Sequence, residues 1–217
     1  MNPLSAKKIE EALVCLVDYF IKSPFAFFTE ADAVAHFRQL LILKTPALQK
    51  HHERQDKIEV SLVHSEYNRF SDEKGHYDMV IMDPRFVNKY SFEEITNVNK
   101  KGRVKLNSIE YPPLEAAFEF KWSKKGRPQT LTSAEKDLIN LNKDTAAQLR
   151  YFILFIRECS QNIWGKKGQE LLKKAEETKN NVRSILVNYN AKESEIYQFG
   201  SWKVKYNNKN SLKIICK

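Results

Sequence analysis

The chain has 217 residues, 42% of them hydrophobic, with only six glycines and seven prolines, which predicts one globular domain without long linkers. It contains no apolar run near the roughly 20 residues that a membrane helix needs, no signal-peptide pattern and three well-separated cysteines, so we expect a cytoplasmic protein with reduced thiols. The net charge of +9 is concentrated in residues 99–127 and 201–217, each with a net charge of +5. This concentration favours a polyanionic partner, although surface lysines also serve solubility alone.

The N-terminal third is predicted to be helical. Apolar residues recur at helical spacing over residues 4–22, and Pro24 ends that helix. A second helix is predicted to begin after Thr29, a suitable N-cap, with Asp32 as the acidic partner for the first-turn amides. It ends before Pro46, and the polar segment after it is predicted to be a loop.

Strand patterns dominate the middle of the chain. Residues 57–70 alternate between polar and apolar side chains, and residues 77–82 form a short apolar run after a predicted turn at 71–75. The two runs predict a β-hairpin. After the mixed, basic segment 85–112, a further strand is predicted over 114–122.

The remaining third predicts alternating helix and strand. A helix is expected over about 133–147, a strand at 151–156 and a long helix over about 167–189. Because the strand at 151–156 is apolar on every residue, it is typical of a central strand that is covered on both faces. The elements together predict an α/β fold with a mixed central sheet between helices, closed by short strands at 196–199, 202–206 and 212–216.

The strand at 114–122 separates its side chains by chemistry. Phe118, Phe120 and Trp122 point to one face, whereas Glu119 and Lys121 point to the other. The aromatic face must belong to the core. The opposite face is either a functional site or an exposed ion pair on an edge strand.

A second acid lies on the neighbouring strand. Asp78 stands near the start of an apolar run, where a carboxylate has little structural use. Together with Glu119 and Lys121 it provides two carboxylates and an amine, which suit a hard divalent cation and a water nucleophile.

These residues carry a family resemblance. Asp78, followed by Glu119-Phe120-Lys121 at the end of an apolar strand in α-β-β-β-α-β order, resembles the PD-(D/E)xK nuclease superfamily, although Tyr77 stands where the motif has proline. The likeness covers residues 29–160. It implies a restriction-endonuclease-like core in a single domain spanning 1–217, with 1–24 as a helical extension and 165–217 as a C-terminal helix and short strands.

The resemblance also implies a role for each residue. Asp78 and Glu119 would bind Mg²⁺, or Mn²⁺ as a substitute, with help from the Phe120 carbonyl. Lys121 would orient or deprotonate the attacking water, or stabilise the pentacovalent phosphate.

Other residues are weaker candidates. Many family members place an additional acid on the first core helix, where Glu30 is the best match, although its position also suits the helix dipole. Glu66 could reach the site from the hairpin or be a plain surface acid. The basic residues after the strand could bind a nucleic-acid backbone or form a solvated turn; they are Lys124, Lys125 and Arg127.

The expected function is therefore hydrolysis of phosphodiester bonds by a Mg²⁺-dependent nuclease, with DNA as the expected substrate and a homodimer as one possible assembly. The alternative is a non-catalytic module of the same fold that binds nucleic acid or a partner protein. Retention of Asp78, Glu119 and Lys121 together favours the enzyme.

Overall fold

The computed structural model describes most of the chain. Beyond Gly200 it describes the backbone of the strands but not the surroundings of their side chains. The described residues are 5–49, 52–54, 57, 59–70, 75–91, 94–95, 109–157, 163–189, 194–200, 202–207 and 211–216.

Ten strands occur among these residues. They are β1 (His52–Glu53), β2 (Glu59–Val60), β3 (Val63–Asn68), β4 (His76–Met82), β5 (Leu114–Ser123), β6 (Ala147–Arg157), β7 (Arg183–Tyr189), β8 (Ser194–Phe199), β9 (Trp202–Asn207) and β10 (Ser211–Cys216). Strands β3 to β8 form one six-stranded sheet in chain order, and the pairs β1–β2 and β9–β10 form two small sheets.

Five α-helices have both ends within the described ranges. They are α1 (Ala6–Lys22), α2 (Glu30–Lys44), α3 (Pro84–Lys89), α4 (Pro128–Lys143) and α5 (Gln169–Thr178). A π-helical turn, Trp164–Gly168, leads into α5. None of the helices in the described ranges combines the length and apolar character needed to cross a bilayer.

The main sheet is mixed. Strands β3, β4 and β5 run antiparallel as a meander, whereas β5, β6 and β7 are parallel, and β8 returns antiparallel at the far edge. The two parallel connections pass through α4 and α5, as parallel pairing requires a crossover. The sheet therefore changes from antiparallel to parallel at β5.

Helices cover both faces of the sheet. Helices α1 and α2 pack on one face, where Phe37 contacts Phe118 and Phe120 with ring centroids 5.1 and 5.5 Å apart. Helices α4 and α5 pack on the other face through residues such as Leu138 and Leu171. The prediction of a mixed α/β sheet flanked by helices is confirmed.

Local sequence signals explain two helix starts. The Thr29 side chain accepts from the Asp32 amide, and Asp32 accepts from the Thr29 amide, so the predicted capping box is confirmed. Asp83 caps α3 in the same way by accepting from the Arg85 amide at 2.8 Å, with Pro84 at the first helical position. Helix α3 lies inside the mixed segment 85–112, where the sequence pattern predicts no helix.

Two predicted elements were wrong in extent. The helix expected over 133–147 begins at Pro128, since proline suits a first turn, and ends at Lys143, so that Ala147 opens β6 instead. The helix expected over 167–189 stops at Thr178, and its second half is the buried strand β7. The main sheet therefore continues beyond residue 160 into the C-terminal part of the chain.

The predicted strand 57–70 is not one continuous strand. It is divided between two sheets, and its side chains change from one face of the main sheet to the other. Residues 59–60 pair in the small sheet as β2, and residues 63–68 form β3. Within β3, Glu66 has φ = 53°, a left-handed conformation that is uncommon for a residue other than glycine. As a consequence Val63 packs on the α1–α2 face, whereas Tyr67 packs on the opposite face despite its even spacing from Val63.

Candidate active site

The candidate site begins where β4 and β5 stop pairing. The ladder between these strands ends at Met79 and Phe118, while β5 continues alongside β6 as far as Ser123. The Phe120 amide therefore has no β4 carbonyl in the ladder, and it donates instead to Asp78 Oδ2 at 2.5 Å. This hydrogen bond fixes the Asp78 carboxylate beside Glu119 and Lys121.

Glu119 is a buried carboxylate with one acidic and one basic neighbour. It is 3% exposed, forms an ion pair with Arg69 and lies within hydrogen-bonding reach of Asp78. Burial, followed by the negative charge of Asp78, raises the pKa of Glu119 to about 8, and the opposing effects of Arg69 and Lys121 are smaller. Burial also raises the pKa of Asp78. At neutral pH the pair therefore holds a shared proton.

Lys121 is the amine of the site and is surrounded by acids. Its Nζ lies 3.4 Å from Glu30 Oε1 and 3.4 Å from Asp137 Oδ2. Burial lowers the pKa of Lys121, but the nearby carboxylates of Glu30, Asp78, Asp137 and Glu119 together raise it above its ordinary value. Lys121 is consequently a fixed cation in the folded protein at neutral pH.

Arg69 connects Glu119 to two further residues, Asp144 and Tyr77. Besides its contact with Glu119, its Nη1 lies 3.6 Å from Asp144 Oδ2, and its guanidinium lies 4.9 Å from the centre of the Tyr77 ring. Tyr77 in turn donates a hydrogen bond to Asp144. Arg69, Glu119 and Asp144 are all nearly inaccessible to solvent, so this network holds Glu119 in one position.

A cavity opens beside the carboxylates. Its volume is about 410 Å³, and it is bounded by α2 and by the paired strands β3 and β4. Three acids line it, namely Glu30, Glu66 and Asp78, together with the basic side chain of Arg38. The register on either side places Glu66 opposite Asp78 across the hairpin.

The structure brings together most of the candidate residues. Asp78, Glu119 and Lys121 meet at one end of the sheet, and Glu30 joins them from the first turn of α2. Glu66 is exposed and reaches the cavity without a contact to Lys121 among those that the structure gives. The alternative of an exposed pair on an edge strand is wrong, because β5 is the third of six strands and Glu119 is buried.

The predicted phosphate-binding residues lie immediately after the site. Lys124, Lys125 and Arg127 are all exposed in the segment that joins β5 to α4. Ser123 stabilises this segment by donating from its hydroxyl to the Lys125 carbonyl at 2.5 Å. The loop therefore presents three cations next to Lys121.

Three residues of the site were missed from the sequence. Arg69 and Asp144 lie at the ends of predicted elements, where charged residues are usually solvated. Asp137 carried a usable signal, because it lies on the same helical stripe as Ala134, Leu138 and Leu141, which are buried. A carboxylate on the apolar stripe of a helix indicates a buried polar partner.

The donor chemistry of the site fits a hard divalent cation. Within the described ranges, no cluster of three or more His, Cys, Asp or Glu side chains is arranged to hold a metal ion. Asp78 and Glu119 nevertheless place two carboxyl groups side by side, and the negative charge of Asp78 raises the pKa of Glu119. A cation between them would relieve that repulsion, with water completing its oxygen ligands.

Comparison of the chain with protein-family models, with curated proteins and with solved structures gives no match. The function proposed for the chain therefore rests on its own geometry and chemistry.

Proposed function

We propose that the protein is a Mg²⁺-dependent nuclease of the PD-(D/E)xK type, which hydrolyses phosphodiester bonds, with DNA as its substrate. The observation that carries the proposal is the convergence of Asp78, Glu119 and Lys121 at the point where the β4–β5 ladder ends. A buried pair of acids beside a lysine has no evident use in stabilising the fold, because burial of charge costs free energy.

The arrangement of elements supports the same proposal. Helix α2, strands β3, β4 and β5, helix α4 and strand β6 occur in the α-β-β-β-α-β order of that superfamily, with β1 and β2 inserted before β3 and helix α3 between β4 and β5. The acids lie on the second and third of these strands, as in the motif. Glu30, in the first turn of α2, is the candidate for the additional acid that many family members place on the first core helix.

The carboxylates would hold the metal. Asp78 and Glu119 would bind Mg²⁺ together with the Phe120 carbonyl, and the ion would lower the pKa of a bound water and offset charge on the scissile phosphate. Because Glu119 has a pKa of about 8, it must give up its proton for the ion to bind. Its ion pair with Arg69 favours that loss.

Lys121 would act on the phosphate and the attacking water. Its raised pKa keeps it protonated, which favours orientation of the water and stabilisation of the pentacovalent phosphate over removal of a proton. Glu30 and Asp137 hold the Nζ atom from two sides. Lys124, Lys125 and Arg127 would bind the flanking backbone phosphates.

One observation favours the non-catalytic alternative. Arg69 already occupies one side of Glu119 in the folded protein, so the buried carboxyl group has a basic partner without any metal. On this alternative the site would be a structural ion-pair network, and the basic loop would bind nucleic acid without cutting it.

Cleavage with matched variants separates the two functions. Supercoiled plasmid and single-stranded DNA are incubated with the protein and Mg²⁺, Mn²⁺ or EDTA, in parallel with Glu119→Ala and Lys121→Ala. The control is Glu177→Ala, which removes an exposed acid with the same spacing to a following lysine, Lys179. We expect metal-dependent cutting that both site variants abolish and the control retains.

The alternative makes the opposite prediction. DNA binding without cutting in any metal, unchanged by the site variants, would refute the nuclease. Calorimetric titration with Mn²⁺ gives an independent reading, because the nuclease requires metal uptake that Glu119→Ala removes.

A further inference from the structure

Two large apolar side chains are exposed in the loop between α1 and α2. Phe28 is 77% exposed and Phe25 is 59% exposed, whereas Phe27 between them is buried in the core. Most phenylalanines avoid water. Among the residues whose side-chain burial is described, Leu43 is similarly exposed at 74%, and Tyr19 is less so at 39%. We call Phe25 and Phe28 the aromatic platform.

The loop is held firmly although its side chains are exposed. The amides of Phe28 and Thr29 both donate to Asp32 Oδ2, at 2.9 and 2.8 Å. The backbone under Phe28 is therefore fixed by the capping box of α2. Because this backbone is already ordered, only the side chain of Phe28 loses conformational freedom when a ligand covers its ring.

The aromatic platform lies beside the candidate active site. Phe28 precedes Glu30 by two residues, so their Cα atoms are separated by at most about 7 Å. The Glu30 carboxylate in turn lies 3.4 Å from Lys121 Nζ and accepts from the Trp122 amide. A chain bound at Lys121 would thus pass within one or two nucleotides of the platform.

A buried cation, Arg157, stacks against Phe25, one of the two rings of the platform. The Arg157 guanidinium lies 4.3 Å from the centre of the Phe25 ring and 5.9 Å from that of Trp122. Arg157 is only 5% exposed, and its Nε has no hydrogen-bond partner in the part of the chain that the structure describes. A buried guanidinium stacked on an exposed ring brings positive charge to a surface that is otherwise apolar.

We infer that Phe25 and Phe28 stack unpaired nucleobases, so that the substrate of the site is single-stranded nucleic acid or a duplex with a single-stranded segment. This inference rests on the proposed nuclease function and specifies its substrate class. Every base has a flat face that can stack on an aromatic ring, whatever its sequence. In a duplex those faces are already covered by neighbouring bases, so that only unpaired nucleotides can use the platform.

Binding measured without cleavage tests the inference. Fluorescence anisotropy is followed for a labelled 20-nucleotide deoxythymidine strand and for a duplex of equal length, in EDTA and in the Glu119→Ala background. We expect the single strand to bind more tightly than the duplex. Phe28→Ala should weaken single-strand binding roughly tenfold and leave duplex binding unchanged, because stacking on one ring is lost.

Two control variants separate stacking from general apolar contact. Phe28→Trp keeps an aromatic face and should bind at least as tightly as the parent. Leu43→Ala removes a side chain that is 74% exposed at the other end of α2, about 20 Å along the helix from Glu30, and should change nothing.

The possible outcomes distinguish this inference from the function on which it rests. Unchanged single-strand binding in Phe28→Ala overturns the platform, even if the protein cleaves DNA. A shift from dimer to monomer in Phe28→Ala by sedimentation, with unchanged binding, also overturns it, because the rings would then cover a second copy of the chain. Selective loss of single-strand binding without any cleavage by the parent protein supports the platform and refutes the nuclease.

Discussion

Arg69 and Glu119 form an ion pair in the interior of the protein, with side-chain exposures of 7% and 4%. The pair crosses from the end of β3 to β5, and it leaves Glu119 between a permanent cation and the acid Asp78. This position makes Glu119 sensitive both to protonation and to an added metal ion. The pair is therefore the natural starting point for tests of the site.

The first prediction concerns stability. Arg69→Met should lower the free energy of unfolding by about 3 kcal/mol, because it leaves Glu119 and Asp144 buried without their guanidinium. Urea denaturation followed by circular dichroism measures the change. Lys22→Met, which breaks an exposed helical ion pair with Asp18, should cost only about 0.5 kcal/mol.

A double variant checks the cause of that loss. Arg69→Met combined with Glu119→Gln should cost clearly less than the sum of the two single changes, since the charge that Arg69 neutralises is then absent. Additive losses would show that Arg69 stabilises the fold through its other contacts.

The second prediction concerns pH in the absence of metal. Glu119 has a pKa of about 8 in the folded protein, against an ordinary value of 4.5. Between these values the folded state holds a proton that the unfolded state has lost, so stability decreases as the pH rises, by up to about 1.4 kcal/mol per pH unit. Denaturation in EDTA between pH 5.5 and about 9 measures the slope.

Glu119→Gln is the control for this slope. The amide cannot titrate, so the decrease in stability towards pH 8 should largely disappear. Added Mg²⁺ should stabilise the parent protein more at high pH than at low pH, because the ion binds the deprotonated carboxylate. An equal slope in Glu119→Gln would assign the pH dependence to other groups.

The third prediction concerns Asp137, which positions Lys121. Asp137→Asn should reduce kcat for DNA cleavage roughly tenfold with little change in KM, because Lys121 Nζ loses one of its two anchors. Removing a carboxylate also lowers the pKa of Lys121. The alkaline limb of the pH–rate profile should therefore move to lower pH.

A neighbouring acid provides the comparison. Glu135 lies on the same helix, and its charge acts on Lys167 and Lys174 instead. Glu135→Gln should leave both kcat and the profile unchanged. If the two variants behave alike, the contact between Asp137 and Lys121 has no catalytic importance.

The fourth prediction concerns the strained residue of β3. Glu66 adopts φ = 53°, a conformation that asparagine tolerates much better than glutamate. Glu66→Asn should raise the free energy of unfolding by about 1 kcal/mol, as measured by urea denaturation. Ser65→Asn, at an exposed neighbour without positive φ, should give no gain.

The sequence predicted the layers and the central strands well, because their physical signals are local. Strand β6 contains a short run that is apolar on every residue, and the side chains of β5 alternate between an aromatic and a polar face. Both patterns reflect burial directly. The capping box at Thr29 was readable for the same reason.

Strand β7 was missed because its sequence follows a helix without a glycine or proline between them. The charged end of α5 is joined to Arg183–Tyr189 by four residues, three of them polar, and helical spacing extends over that boundary by chance. Only the pairing with β6 distinguishes a strand there.

The site residues on β3 could not be assigned by alternation. The positive φ at Glu66 moves the following residue to the opposite face, so that Tyr67 packs away from Val63. The alternation of polar and apolar residues in the sequence cannot reveal that a strand changes face in this way.

The exposed rings of Phe25 and Phe28 show a different limit. Three phenylalanines occur within four residues, but no stacking motif is legible in the sequence. Only the three-dimensional structure shows that Phe27 is buried while its neighbours point into solvent.

The hydrogen bond from the Phe120 amide to Asp78 makes that single backbone proton a spectroscopic reporter of the site. An N–H group held at 2.5 Å by a carboxylate resonates far downfield of ladder amides when the acceptor is charged, and it returns upfield when the acceptor is neutralised. One resonance in a ¹⁵N correlation spectrum would thus follow the ionisation of Asp78 during acid titration. The same peak would register the arrival of a divalent ion before any substrate is present.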